Sequence, residues 1–355
     1  MSVRSPLRVL SVFLVVSAAS CAQDRETERG TVVAVDTLTA RWGLELFEPV
    51  AVQAGSDGSV FVLDRGNGEL YRLRANGTTD TIAKKGSGPG ELKGPTSFAL
   101  LGDSAAIVAD EGNARVQVIP FGAGPVRTLG YTQGAHAGVF DLSAGRFYAA
   151  AYGQGFAFEN GKPVVSQAAL VSVLSTESGE VVGHFGAPGT YEGTVLPIFG
   201  NLVRLARDPR NGDVWVAWPL EPLLERFDAS GRRKGEIRRS LAFDPPPWTE
   251  EPTSRSPLPA ADFQQVTFDV QVDSRGRLFV LTPVEAKTHK LHSTEYRHPA
   301  QAIEVLREDG TVECRVDLPV TATSFALAGD GELLLVDSRD SAEIFRVRYR
   351  CPTME

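Results

Sequence analysis

The chain has 355 residues, 42% of them hydrophobic and 23% charged, enough apolar material for a sizeable core and an ordinary share of charge. Its formal net charge is −8, and an acidic surface repels phosphate backbones, which argues against nucleic acid as a partner. The 35 glycines fit a fold that turns often.

The first twenty residues read as a leader rather than as fold. Arg4 and Arg8 form a positive start, and residues 9–16 (VLSVFLVV) form an apolar stretch too short to span a bilayer. Residues 17–21 (SAASC) resemble a bacterial lipobox, in which Cys21 is lipidated and becomes the new N-terminus; Ala18 stands where Leu is usual. The alternative is an ordinary signal peptide cut nearby. Residues 21–30 then serve as lipidated Cys and polar tether, and the lipid holds the domain at a membrane surface. Cell-envelope localisation follows, at the outer membrane or facing the periplasm. Removing the leader leaves 34 Lys and Arg against 44 Asp and Glu, a net charge of −10.

Residues 31–37 (TVVAVDT) read as a strand with no partner in its own neighbourhood. After it, one unit recurs six times: a Gly (once Ser), a variable residue, then four mostly apolar residues. The copies are 58–64 (GSVFVLD), 104–110 (SAAIVAD), 145–151 (GRFYAAA), 212–218 (GDVWVAW), 276–282 (GRLFVLT) and 331–337 (GELLLVD). Pairs such as Asp57-Gly58, Asn211-Gly212 and Asp330-Gly331 precede them, and glycine there accepts the positive φ of a tight hairpin. A third and then a fourth strand follow in most units. The last unit has no room for a fourth strand before the chain ends, so residues 31–37 are expected to supply it. The expected fold is all-β, a six-bladed β-propeller over residues 31–355 closed by the N-terminal strand in the last blade. Such closure removes exposed sheet edges.

Up-and-down strand order separates two faces. Turns between first and second strands, and between third and fourth, are short and share one face. Insertions fall on the other: residues 152–168, 186–201, 244–262 (with six prolines) and 283–300. Long loops on one face of a rigid scaffold are where binding sites usually occur.

The first two units align without a gap at a period of 46, Asp64 on Asp110, Gly66-Asn67 on Gly112-Asn113 and Leu70 on Val116. Residues 86–92 (GSGPGEL), Pro95 and residues 108–118 (VADEGNARVQV) resemble the NHL repeat. Within that family, the nearest kind is the six-bladed propeller lipoproteins of bacterial cell surfaces. Glu69 stands where the motif has Arg, the third to fifth units lack the Asp, and the sixth keeps Asp337. Asp110 and Asn113 are expected to hydrogen-bond the connection between second and third strands, with Arg115 pairing with an acidic neighbour. The resemblance also implies a place for enzymes, since some NHL-like propellers hold zinc or calcium in the central channel.

The inner strands offer Asp141, Asp269 and Arg204, few oxygen ligands for a divalent cation. His289, His292 and His298 lie in the 283–300 insertion at a spacing that is no known zinc signature. Trp218, with Tyr152, Phe156 and Phe158, is a candidate aromatic ligand platform, against the plainer reading of loop packing. The candidate ligand face is therefore Trp218, Tyr152, Phe156, Arg204, Asp269, His289 and His292, with no catalytic set, metal or cofactor expected. In an exported protein Cys314 and Cys351 are candidates for a disulfide that ties the C-terminal end to a neighbouring blade; two separate thiols are the alternative. The leading functional expectation is a membrane-anchored, non-catalytic binder of a protein, peptide or glycan partner. The alternatives are a metal-assisted hydrolase or lyase with a central-channel site, and a structural subunit of an envelope complex.

Overall fold

A computed structural model describes residues 28–129, 135–141, 145–151, 156–159, 162–165, 169–251, 259–287, 289–290, 299–338 and 341–352. The leader, Cys21, Tyr152, His292 and His298 lie outside the described residues.

The chain folds as an all-β propeller. Four separate sheets follow one another: Pro49–Ala54, Val60–Asp64, Glu69–Leu73 and Thr79–Lys85; Ser97–Leu101, Ala105–Asp110, Arg115–Pro120 and Arg127–Leu129; Ala135–Asp141, Arg146–Ala151, Val171–Ser175 and Val181–Phe185; Arg204–Arg207, Val214–Ala217, Leu223–Phe227 and Arg233–Arg238. The first gains a fifth, two-residue strand, Glu91–Leu92, in parallel register with Lys84 and Lys85. Instead of a fifth and a sixth separate sheet, the structure has one eight-stranded sheet. Its first half is Asp269–Val272, Leu278–Pro283, Gln301–Leu306 and Val312–Asp317; its second half is Ser324–Gly329, Glu332–Asp337, Glu343–Arg350 and Arg29–Thr37. The N-terminal strand joins the halves. It pairs antiparallel with the last strand from Thr31 to Thr37, and parallel with Arg315 and Val316 through Arg29 and Gly30. The innermost strands contact one another in chain order, and the last, Ser324–Gly329, returns to the first, Pro49–Ala54.

Burial explains why the second strands read as continuous apolar runs. Every residue of Val60–Asp64 is buried, whereas the outer strand Thr79–Lys85 is mostly exposed. A strand packed on both faces needs apolar residues at every position, not at alternate ones. Val60 and Val62 pack against Leu334 and Val336, while Phe61 and Leu63 pack against Phe98, Ala106 and Val108. Leu278 and Val280 likewise turn toward Trp215 and Ala217, and Phe279 and Leu281 toward Leu333 and Leu335. Each such Leu or Val contributes about 1.5–3 kcal/mol on burial.

The crossing of the N-terminal strand between the two halves is crowded. A Cβ on Gly30 would lie 2.7 Å from Val316 Cγ2, 2.9 Å from the Arg350 carbonyl and 2.9 Å from Cys314 Sγ, so only glycine fits without displacing a neighbour. Beside it a disulfide joins Cys314 to Cys351, 37 residues apart with Cα atoms 6.0 Å from each other. It binds the outer strand of one half to the residue that follows the last strand of the other.

The short-turn face is held by ion pairs between sheets. Glu308, in a turn of the eight-stranded sheet, meets Arg210 and lies 2.6 Å from Arg226 Nη1, both from the fourth sheet. Arg210 in turn holds the buried Asp208 at 2.7 Å, and Arg226 holds Asp213 at 2.6 Å. Arg210 draws the Glu308 carboxyl below its ordinary range; burial opposes this and Arg226 adds to it.

Replacing Cys314 and Cys351 together by Ala should lower unfolding stability by about 3–4 kcal/mol, the chain-entropy value for a loop of this size, read as a shift of the urea midpoint at constant slope. A Glu308→Gln variant tests the ion network. Because the folded carboxyl is held below its unfolded value, its stabilisation is complete above the ordinary Glu range and is lost as pH falls through the folded value. The half-exposed pair should be worth about 0.5–1 kcal/mol at pH 7, and the two proteins should converge in stability in acid.

Candidate functional site

The Asp-x-x-Asn-x-Arg signature is a clamp between sheets. Asp110 is fully buried and accepts hydrogen bonds from the Lys93 amide (2.7 Å), Asn113 Nδ2 (2.9 Å), Arg115 Nε (2.9 Å) and Gln117 Nε2 (3.1 Å). With Asp110 orienting them, the same donors grip the linker from the preceding sheet. Asn113 donates to the Gly86 carbonyl at 2.8 Å, Arg115 to those of Ser87 (3.1 Å), Gly88 (2.6 Å) and Glu91 (2.8 Å), and Gln117 to that of Glu91 at 2.9 Å. The expected acidic partner of Arg115 is thus Asp110 itself. Asp64 repeats the pattern, accepting from the amides of Phe47, Glu48, Gly66 and Asn67. In the first, second and last units the residue before the third strand is left-handed, Gly68 (φ 67°), Ala114 (φ 52°) and Ala342 (φ 52°).

On the opposite face to the short turns, three insertions pack into one cap. The strand Thr249–Glu251 pairs with Ala260–Phe263, which pairs with His289–Lys290, so Phe263 and His289 are register partners. The Glu250 carboxylate accepts from the amides of Thr194 (2.6 Å), Val195 (2.6 Å) and Leu196 (2.7 Å), fastening this small sheet to the short helix Leu196–Gly200. Val195, Leu196, Leu220, Ala261 and Phe263 form an apolar cluster beneath. Phe156 lies in a separate hairpin, Phe156–Glu159 with Lys162–Val165.

Arg204 and Asp269 come together at the start of two neighbouring inner strands, on the capped side of the channel. Asp141 ends its strand, Ala135–Asp141, and so belongs to the other end. Asp269 accepts from the Val270 amide (2.8 Å), Ser324 Oγ (2.8 Å) and the Phe325 amide (3.0 Å), while Arg204 donates to the carbonyls of Phe268 (2.9 Å) and Leu202 (3.1 Å). Burial pushes the Asp269 carboxyl up and the Arg204 guanidinium down, and each one's charge opposes the shift of the other. Both Asp269 oxygens are engaged, and the bonds stitch three adjacent inner strands together. Among the described residues no group of three or more His, Cys, Asp or Glu is placed to hold a metal ion.

Trp218 does not lie on an exposed platform. Its side chain is only 4% exposed, within the apolar cluster between the third and fourth sheets, because it ends a second strand packed on both sides. Its indole Nε1 donates to Glu225 Oε2 at 3.0 Å. It forms one wall of a groove of about 480 Å³ between residues 186–190 and the outer strands of the fourth sheet. Glu221, Glu225, Arg233, Glu236 and Arg238 line this groove. Arg233 Nε donates to Glu225 Oε1 at 2.7 Å and its Nη2 meets Glu236, which Arg238 approaches at 3.4 Å. The Tyr191 hydroxyl donates to Glu221 Oε1 at 3.1 Å; burial, and then that carboxylate, push it well above the ordinary tyrosine range. Trp248 packs on Tyr191 with ring centroids 4.9 Å apart and stays partly exposed. None of these groove residues but Trp218 stands out in the sequence; the available signal was the substitution of Trp218 for the Asp of the repeat.

No family model matches the chain, and no curated protein matches it in sequence. Solved structures match its fold. A member of the duf4221 family from Bacteroides vulgatus aligns with a TM-score of 0.57 at 9% identity, over 92% of this chain and 99% of that one. A putative exported protein from Bacteroides fragilis aligns at 0.52 and 11% identity, over 86% and 92%. A luciferin-regenerating enzyme aligns at 0.52 and 12% identity, over 89% and 95%. At such identities the likeness is one of fold, and that fold is the β-propeller.

Asp110→Ala should deprive the partly buried Arg115 guanidinium and the neighbouring donors of their shared carboxylate, costing about 2–3 kcal/mol in urea unfolding. A loss below about 1 kcal/mol would mean that the clamp is dispensable.

Proposed function

We propose that the chain is a lipid-anchored, six-bladed propeller of the bacterial cell envelope that binds a protein, peptide or glycan partner through its capped, loop-rich face and carries out no chemistry on it. The count of six takes the eight-stranded sheet as two blades of four, because each half contributes its own innermost strand to the ring. The observation that carries the binding reading is the asymmetry of the faces. Short turns stay on one side, while the cap built on Glu250, Val195, Leu196 and Phe263 gathers on the other. The engagement of both Asp269 oxygens supports a structural part for the channel residues. The anchor rests on Cys21 and the residues before it.

Fractionation tests the anchor: Cys21→Ala should move the protein from the membrane to the soluble fraction, and retention would refute lipidation. Affinity capture from detergent extracts of the envelope should recover a partner that Glu250→Ala releases, with the circular dichroism of the β fold unchanged. Elemental analysis showing one metal per chain would replace this reading with a channel hydrolase or lyase. A stable stoichiometric assembly indifferent to Glu250→Ala would make the chain a structural subunit.

A further inference from the structure

The groove beside Trp218 occupies the place that a clamp fills elsewhere in the ring. In the second sheet Asp110 stands opposite Arg115. In the fourth, Ala217 pairs with Leu224, so Trp218 stands opposite Leu223 as Asp110 does opposite Arg115. Counting on, Glu221 takes the position of Asn113 and Glu225 that of Gln117. The linkers correspond as well: residues 86–92 follow the outer strand of the first sheet as residues 186–192 follow that of the third.

The substitutions reverse the hydrogen-bonding character of the joint. Asn113, Arg115 and Gln117 make five donor contacts to the carbonyls of their linker. Leu223 has no donor, and ionised Glu221 and Glu225 only accept. Where the clamp would be, there is an opening of about 480 Å³. At the joint between the fourth sheet and the eight-stranded sheet the guanidinium is supplied from the linker side. Arg239, which follows the strand Arg233–Arg238, is buried and donates to Glu304 (2.9 Å), the Val266 carbonyl (2.8 Å) and Thr267 Oγ1 (2.7 Å). Thr282 pairs with Ala302, which puts Glu304 at the Gln117 position. Two joints thus hold a guanidinium between linker and third strand; at the third, Glu225 accepts from Trp218 Nε1 and Arg233 Nε, and Glu221 accepts from the Tyr191 hydroxyl through Oε1 alone, beside an open space. Arg233 and Arg238 line the same groove and pair with Glu225 and Glu236, leaving three carboxylates against two guanidiniums there.

We propose that this groove binds the guanidinium of an arginine side chain presented by a partner polypeptide, which supplies in trans what Arg115 supplies in cis. A planar cation with five donors matches a set of carboxylate acceptors better than an ammonium or a neutral hydroxyl does. The inference deepens the binding reading above and rests on it for the existence of a partner.

The test uses the folded, mature chain and a short blocked peptide with one central arginine, compared with its citrulline twin, which has nearly the same shape and no charge. The arginine peptide should bind at least tenfold more tightly, as measured by tryptophan fluorescence or calorimetry, and its affinity should fall as salt rises. Glu221→Gln and Glu225→Gln should each weaken it by about tenfold. Leu223→Arg should refill the joint from within and abolish binding; because Leu223 is buried, the two Glu variants keep the test decisive if that protein does not fold. Equal affinity for the two peptides, binding unaffected by either Glu variant, or selective binding of a neutral oligosaccharide in place of arginine would overturn the proposal. Failure of the peptide with a partner still captured from the envelope would remove this inference alone; peptide binding with nothing captured would remove the partner reading instead.

Discussion

The architecture depends on one pairing, the antiparallel register of six residue pairs between Thr31–Thr37 and the last strand. A ring of sheets holds together only if its final sheet is complete, because an open outer edge presents unpaired amides and carbonyls. The strand that completes it comes from the other end of the chain. It must also pass the neighbouring half of the eight-stranded sheet, which it does at Gly30, where no side chain fits. The disulfide at Cys314 and Cys351 fastens the same crossing. Closure is a non-local contact with a large loop entropy against it, so glycine, covalent link and strand register all act at one point.

Around the ring, the same few positions decide how each joint between sheets is closed. The end of the second strand, the turn and the start of the third strand form the joint with the preceding sheet. Where these positions carry Asp, Asn, Arg and Gln, the joint is closed by hydrogen bonds and the residues have no capacity left for a ligand. Where they carry Trp, Glu, Leu and Glu, the joint opens into a groove whose carboxylates bond to Trp218, Arg233 and Tyr191 instead of gripping the linker. Variation of a structural repeat is therefore enough to create a concave, charged feature without a new loop, and the fourth sheet is where this happens.

The two faces follow the same logic on a larger scale. On the short-turn face, charged residues are consumed in pairs such as Arg210 with Glu308 and Arg226 with Asp213. On the capped face a single carboxylate, Glu250, satisfies three amides that a short helix would leave unpaired. The cap is thereby fixed to the scaffold by polar bonds above and by Phe263 and Leu220 below.

The second strands were legible from sequence because packing on both faces demands an uninterrupted apolar run, and the period of 46 made the first two units visible. The N-terminal strand was legible from a deficit: one unit lacked its outer strand and one strand lacked a unit. Only the tertiary structure decided that Arg29 and Gly30 also reach the neighbouring outer strand, merging two sheets into one, because that contact depends on the distance between chain segments 286 residues apart. The aromatic character of Trp218 was plain in sequence, but its burial was not, since a residue at the end of a strand faces core or solvent according to the sheet beside it. Nor could the opposition of Trp218 and Leu223, or the convergence of Glu225, Arg233 and Glu236, be read from spacing. Strand register fixes which side chains face one another, and register is a property of paired strands rather than of either strand alone.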